Sequence, residues 1–298
     1  MPGETFSHAD EHVFDRRTTI FACRVALAMI LVIGGSGMIG RGVVSAAGRL
    51  GIPCESTTRK PGQGHFLDLS LIPDSWQIPK NVEAAVLCAS VTGLKTCESD
   101  PEGTRAINVS ATKILADRLA EQGTRVTFLS SNQVFGPDAF QPSEDDPPEP
   151  VTEYGRQKLA VERHLTEKIP SAKIIRLTKV VSSELPLFAK WAEDLGRGRP
   201  VRAYSNLHLS PLALFPTTAQ ILEIACSLHS GIFHLSASDS ISYLDAAQWL
   251  ASRLGVSSSL VQSDDAPHPN TPDSCRLGCE RTHRLIGFVP QSAREAFG

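Results

Sequence analysis

Tyr154 and Lys158 lie four residues apart in the run Tyr154-Gly155-Arg156-Gln157-Lys158. On a helix this spacing puts a phenol and an ammonium on one face. A free tyrosine titrates near about 10, too high for easy proton exchange at neutral pH. A neighbouring cation favours the phenolate and lowers that value. Such a pair can exchange a proton with a carbonyl or alcohol oxygen while a hydride moves at the same carbon. A hydroxyl is then needed to hold the substrate oxygen. Ser131 stands at the carboxyl end of a predicted strand, 126–130, where open parallel sheets bind their ligands. It is assigned as the donor to the carbonyl. Ser130 points to the opposite face and reads as structural.

The second chemical feature is the stretch 29–40, MILVIGGSGMIG. An apolar strand runs into glycines at 34, 37 and 40 and then into a helix, the usual opening of a dinucleotide-binding fold. Gly34 permits the tight turn, Gly37 lets the backbone approach a pyrophosphate, and Gly40 lets the helix pack on the strand. Ser36, Met38 and Ile39 complete this segment, whose free N–H groups and helix dipole favour phosphate. Lys158 could then hold the nicotinamide ribose. An acidic residue ending the second strand would bind the ribose hydroxyls of NAD and repel NADP. Counting from Gly40, that position is Thr58, followed by Arg59, while Glu55 falls mid-strand. A guanidinium suits the 2′-phosphate, so NADP is favoured over NAD.

These pieces together resemble the extended short-chain dehydrogenase/reductases. GGSGMIG at 34–40, LSSNQVFG at 129–136, YGRQK at 154–158 and IIRL at 174–177 carry the resemblance. Within that group the chain is similar to the dTDP-4-dehydrorhamnose reductase family over about 29–290. Residues 88–112, with Glu98 and Asn108, and residues 231–251 add to the likeness. The resemblance implies Ser131, Tyr154 and Lys158 as the catalytic group, with Tyr154 the proton donor. It implies Asp68 and Leu69 at the adenine, Ala89, Ser90 and Thr92 along the cofactor with Tyr154 and Lys158 also against it, and Ser131 and Asn132 at the substrate.

Two departures bear on the reaction. Related dehydratases carry an Asp-Glu pair for elimination, and this chain has Asn132-Gln133, amides that do not titrate. The reductases more often have Asp-Tyr there. Lys179-Val180-Val181 replaces a segment that often holds an aromatic residue and a glycine, so the substrate wall has changed. The reading is an NADP-dependent reductase of a keto-deoxysugar nucleotide. The alternatives are an epimerase of the same superfamily or a non-catalytic NADP-binding subunit. The regulatory subunit of methionine adenosyltransferase, which resembles the same reductases, illustrates the last.

The elements that would position this chemistry alternate strand and helix. Strands are expected at 52–57, 65–69, 82–89, 126–130 and 173–177, and helices at 41–50, 103–122 and 153–167. The pattern predicts an α/β fold, a doubly wound parallel sheet of Rossmann type. Residues 136–152, acidic and proline-rich, read as a loop, and 257–274 as another. Residues 1–28 read as a disordered extension, with translation starting at Met29. Residues 29–181 read as the nucleotide domain, and 182–298 as a smaller C-terminal α/β substrate lobe interleaved with the last part of the sheet. Lys190, Arg197, Arg199 and Arg202 cluster there as cations for a diphosphate, although a solvated basic helix end explains them as well.

The chain has 298 residues, 41% hydrophobic and 20% charged, with a formal net charge of −3. That balance gives no electrostatic case for nucleic acid or an anionic membrane as partner. No apolar run reaches the roughly 18 residues of a membrane span. Seven scattered cysteines suit free thiols in a reducing cytoplasm. Cys275 and Cys279 have no second Cys/His pair at zinc spacing, so no metal site is expected. Helix-mediated homodimers are common among the proteins this chain resembles.

Overall fold

The computed structural model describes residues 29–60, 62, 64–71, 76–268 and 270–297. The expectations for residues 1–28 lie outside that range. Short runs of Ile, Leu, Val and Ala form the middle strands because both of their faces are covered. β1 (Ile30–Ile33) is wholly buried. It leads through the glycine turn into α1 (Met38–Arg49), and β2 (Cys54–Thr58) and the short β3 (His65–Phe66) follow. β4 (Ala84–Leu87), again wholly buried, precedes α2 (Leu94–Ser99) and α3 (Pro101–Arg105). A π-helical segment, Ala106–Ala111, joins α3 to α4 (Thr112–Glu121). The helix expected at 103–122 is thus one element with an inserted π turn. β5 (Arg125–Ser131), α5 (Glu153–Lys168) and β6 (Lys173–Leu177) complete the first half.

The second half holds β7 (Lys179–Val181), α6 (Pro186–Gly196), β8 (Val201–Tyr204), β9 (His208–Leu209) and β10 (Pro211–Ala213). α7 (Leu214–Cys226), β11 (Gly231–Leu235), β12 (Ile241–Ser242) and α8 (Tyr243–Arg253) follow. The last elements are β13 (Val261–Asp264) and α9 (Glu280–Ile286).

Seven strands form one sheet in the order β3-β2-β1-β4-β5-β6-β11. Every neighbouring pair in it is parallel. The order reverses between β1 and β4, the switch point where such sheets open a crevice beyond their carboxyl ends. Alternate residues of the strands serve two cores. Ile30, Val32, Val86, Leu129 and Phe233 meet Val43 of α1 and Ile221 and Ile224 of α7 on one face. Leu31, Ile33, Leu87 and Phe128 meet Leu115 and Leu119 of α4 and Val161 and Leu165 of α5 on the other. A third core joins Phe188 and Trp191 of α6 to Ala246 and Ala247 of α8, with Val201 and Val261. The segment after 182 therefore divides. α7, β11 and α9 return to the sheet, while α6, β8, β12, α8 and β13 enclose the separate core.

Two expectations need correction. The third strand ends at Phe66, and Leu69–Leu71 turn into a 3-10 helix, so Asp68 leaves the sheet edge. Residues 257–274 are not all loop. Val261–Asp264 pairs in parallel with β8, a strand hidden in sequence because only Val261 of the four is buried.

Candidate active site

The glycine turn is built to bring backbone close to backbone. Gly34 has φ +90, and a Cβ there would come within 2.8 Å of Ala89 Cβ, at the neighbouring strand end. A Cβ on Gly40 would lie 2.2 Å from the Gly34 carbonyl oxygen, so α1 crosses the turn at a distance only glycine permits. Beyond this floor lies a groove of about 390 Å³. Gly34, Ser36, Gly37, Thr57–Arg59, Leu67–Leu69 and Cys88–Val91 line it. Gly34, Ser36, Gly37, Arg59, Asp68, Leu69, Ala89 and Ser90 therefore stand together as expected. Met38 and Ile39 instead turn their side chains into the core, leaving only backbone for a ligand. Thr92 is exposed and lies outside the groove lining. Sequence reasoning missed Thr57, whose Oγ1 accepts from Gly34 N at 3.0 Å.

Thr58 ends β2, and exposed Arg59 follows it at the rim. Asp68 accepts from the Ser70 amide and hydroxyl, and these bonds, helped by Arg59, hold its carboxyl below the usual range. A parallel sheet opened at its switch point, a glycine floor and a guanidinium at the end of β2 fit a dinucleotide with a 2′-phosphate.

The π turn aims Asn108 at this groove. Its Oδ1 accepts from Ser90 Oγ (2.9 Å) and Val91 N (2.7 Å), and its amide donates to Val91 O (2.9 Å) and Gln157 Oε1 (2.8 Å). One buried amide thus ties the groove wall to α5. Asn108→Ala would leave these partners unpaired, at about 1–3 kcal/mol. The expected result is a lower melting temperature together with several-fold weaker dinucleotide binding. Thermal unfolding and a fluorescence titration check both.

Helix α5 carries Tyr154 and Lys158 inward. Thr152 caps it by accepting from Gly155 N, and Glu98 accepts from Glu153 N. Tyr154 is 8% exposed and Lys158 4%. The ammonium lies 5.5 Å from the centre of the Tyr154 ring and donates to Leu129 O at 2.9 Å. Burial lowers the Lys158 pKa to about 8, against the pull of Cys88, Glu162 and Cys97. The expected lowering of the Tyr154 pKa is corrected here. Burial raises it, Cys97 adds to the rise, and a hydrogen bond with the Ser90 hydroxyl offsets part. Tyr154 and Lys158 do not themselves line the groove; the phenol reaches its wall through Ser90.

Ser131 closes β5 opposite Leu177 of β6. Its oxygen accepts from Gln133 N at 3.2 Å, capping the turn Asn132–Val134, and its contact with Asn132 Oδ1 is a weak 3.4 Å. The hydroxyl proton can therefore serve a ligand. Asn132 donates to Cys275 O at 3.3 Å. A Cβ on Gly155 would lie 2.0 Å from Gln133 O, so the start of α5 abuts the turn after Ser131. This contact sets the start of the helix that carries Tyr154 against the turn that follows Ser131, and nothing in the sequence pattern flags it. As expected, Ser130 is structural, and its hydroxyl donates to buried Glu162.

Three of the four residues in the basic cluster of the second half are ion-paired. Lys190 pairs with Asp194, Arg197 with Glu193 and Arg199 with Asp194, all at the end of α6. A hollow of about 850 Å³ between the 136–152 loop and the outer side of α5 holds none of the catalytic candidates.

A family model described as the RmlD substrate binding domain matches residues 28–298. A probable low-salt glycan biosynthesis reductase of Haloferax volcanii is 28% identical over 222 residues, covering 67% of this chain and 74% of its own. The dTDP-4-dehydrorhamnose reductase of Salmonella typhimurium is 26% identical over 228 residues, 70% of this chain and 75% of its own. The dTDP-4-dehydrorhamnose reductase of Bacillus anthracis, solved in complex with NADP, superposes with a TM-score of 0.76. That likeness covers 90% of this chain and 95% of the other at 19% identity, which speaks to the fold.

Proposed function

The chain belongs to the RmlD substrate binding domain family, and on that premise we propose that it is an NADP-dependent reductase of a keto-deoxysugar nucleotide. One observation carries this reading: the buried phenol–ammonium pair of α5 is bonded through Tyr154 to Ser90, in the wall of a glycine-floored groove, and the start of α5 abuts the turn that follows Ser131. A dinucleotide held along Gly34, Gly37, Arg59 and Ser90 would supply hydride for the carbonyl carbon. Ser131 donates a hydrogen bond to the carbonyl oxygen, and Tyr154 gives that oxygen its proton. Burial keeps Tyr154 protonated, the form a reduction consumes. Lys158, charged below about pH 8, stabilises the phenolate that remains and holds the nicotinamide ribose. Asn132 and Gln133 supply no second acid or base, which suits a reaction needing one proton.

Arg59 gives the choice of cofactor. Arg59→Ala is expected to weaken NADPH binding about tenfold and leave NADH unchanged, the scale of one charge-assisted hydrogen bond at a solvated site. Fluorescence titration with both nucleotides measures it. Equal losses would remove the 2′-phosphate from the account.

NADPH consumption against a panel of 4-keto sugar nucleotides tests the function. Turnover with at least one supports it, and tight NADPH binding without any turnover contradicts it. A homodimer is part of the same reading, as helix-mediated dimers are common among the proteins this chain resembles. No helix among the described residues is long and apolar enough to cross a membrane. Free thiols at Cys54, Cys88, Cys275 and Cys279, each pushed up in pKa by burial, suit the cytoplasm.

A further inference from the structure

Glu162 lies one turn beyond Lys158 on α5 and is 2% exposed. It accepts from the Ser130 hydroxyl, the residue before Ser131. Arg176 of β6 grips it with Nη2 at 2.7 Å from Oε2 and Nε at 3.1 Å from Oε1. The other end of that guanidinium, Nη1, lies 3.4 Å from His234 Nε2 on β11. Burial and Arg176 hold His234 well below the usual imidazole range, so the ring is neutral. Its Nδ1 then donates to Gly278 O at 2.8 Å, leaving Nε2 to accept from Arg176. Gly278 belongs to the loop whose Cys275 carbonyl receives the Asn132 amide. A chain of polar contacts therefore runs from α5 through two strands to the loop that receives the Asn132 amide.

Packing alone does not call for this arrangement. Apolar residues of similar volume replace buried ion pairs at little or no cost in stability. The titratable groups around the Lys158 ammonium are Cys88 from the end of β4, Cys97 from α2, and Tyr154 and Glu162 from its own helix. Glu162 is the carboxylate among them. Lys158 and Glu162 also fasten α5 to successive residues of β5, Leu129 and Ser130, just before Ser131.

We propose that Glu162 is a positioning residue for the reaction: its grip on Ser130 fixes β5 against α5, and its charge sustains the ammonium of Lys158. This rests on the proposed reductase reading, in which Lys158 holds the cofactor ribose while charged. The sign follows from the charges. Removing the carboxylate takes a favourable partner from Lys158, so the ammonium loses its proton at lower pH. Leaving Arg176 in place adds repulsion in the same direction.

NADPH affinity of the full chain, measured by fluorescence between pH 6 and 10, tests it. The wild type should bind well at low pH and weaken through about pH 8, where Lys158 loses its charge. Glu162→Gln keeps the size of the side chain and removes its charge, and should move this midpoint down by about one pH unit. An unpaired Arg176 could prevent folding. The double variant Glu162→Gln/Arg176→Met removes both charges and retains the packing, and its midpoint should also fall, by less. Variants that bind NADPH with the wild-type midpoint would overturn the inference alone. A wild type that binds no NADPH, or binds it equally at every pH, would overturn the role given to Lys158 and this inference with it.

Discussion

Tyr154→Phe is expected to lower turnover by about 100- to 10,000-fold, the range that one positioned acid contributes. The substitution removes a single oxygen from a ring that is 8% exposed, so the packing of α5 stays as it is. NADPH affinity should remain near wild type, because the groove is lined by other residues and the phenol meets it through Ser90. The signature is thus a collapse of turnover with little change in cofactor binding. Steady-state rates and a parallel NADPH titration separate the two. Full turnover in the variant would assign the proton to another group and end the role given to Tyr154.

Gly155→Ala is expected to be nearly as damaging, although the residue has no side chain to react. The added Cβ would lie 2.0 Å from the Gln133 carbonyl oxygen, with the Pro150 ring at 3.0 Å. Backbone on one side and a rigid ring on the other cannot yield cheaply. The start of α5 must therefore retreat from the turn that follows Ser131, carrying Tyr154 with it. A misplacement of about 1 Å at a reacting group costs about 100-fold in rate. The glycine floor lies elsewhere, so NADPH binding should fall much less than turnover. A variant with normal rates would show that the approach of α5 to this turn does not set the catalytic spacing.

The legible parts of this protein are those whose partners are close in sequence. Gly34, Gly37 and Gly40 act within one turn, and Tyr154 and Lys158 within another, so spacing alone reveals them. Continuous apolar runs such as Ile30–Ile33 disclose a sheet covered on both faces. The remaining parts depend on partners brought together by the fold. Asn108 bonds to Gln157 across 49 residues, and its aim depends on a π turn that no residue type announces. Glu144 sits in an acidic, proline-rich loop that composition assigns to solvent. It is buried instead, accepting from the amides of Arg281 and Thr282 at the start of α9. The Tyr154 pKa departs from its sequence expectation for a related reason. The cation is local and visible in sequence, whereas the burial that dominates comes from distant elements.

The central claim concerns where the hydride goes. NADPH carrying two deuteriums at the nicotinamide C4, incubated with the protein and each nucleotide of the 4-keto sugar panel, tests it with a mass spectrum and an NMR spectrum of the sugar. The account predicts one deuterium on the former carbonyl carbon and one NADPH oxidised for each sugar converted. An unlabelled isomer formed without loss of NADPH, or a whole panel left untouched beside tightly bound NADPH, would contradict it.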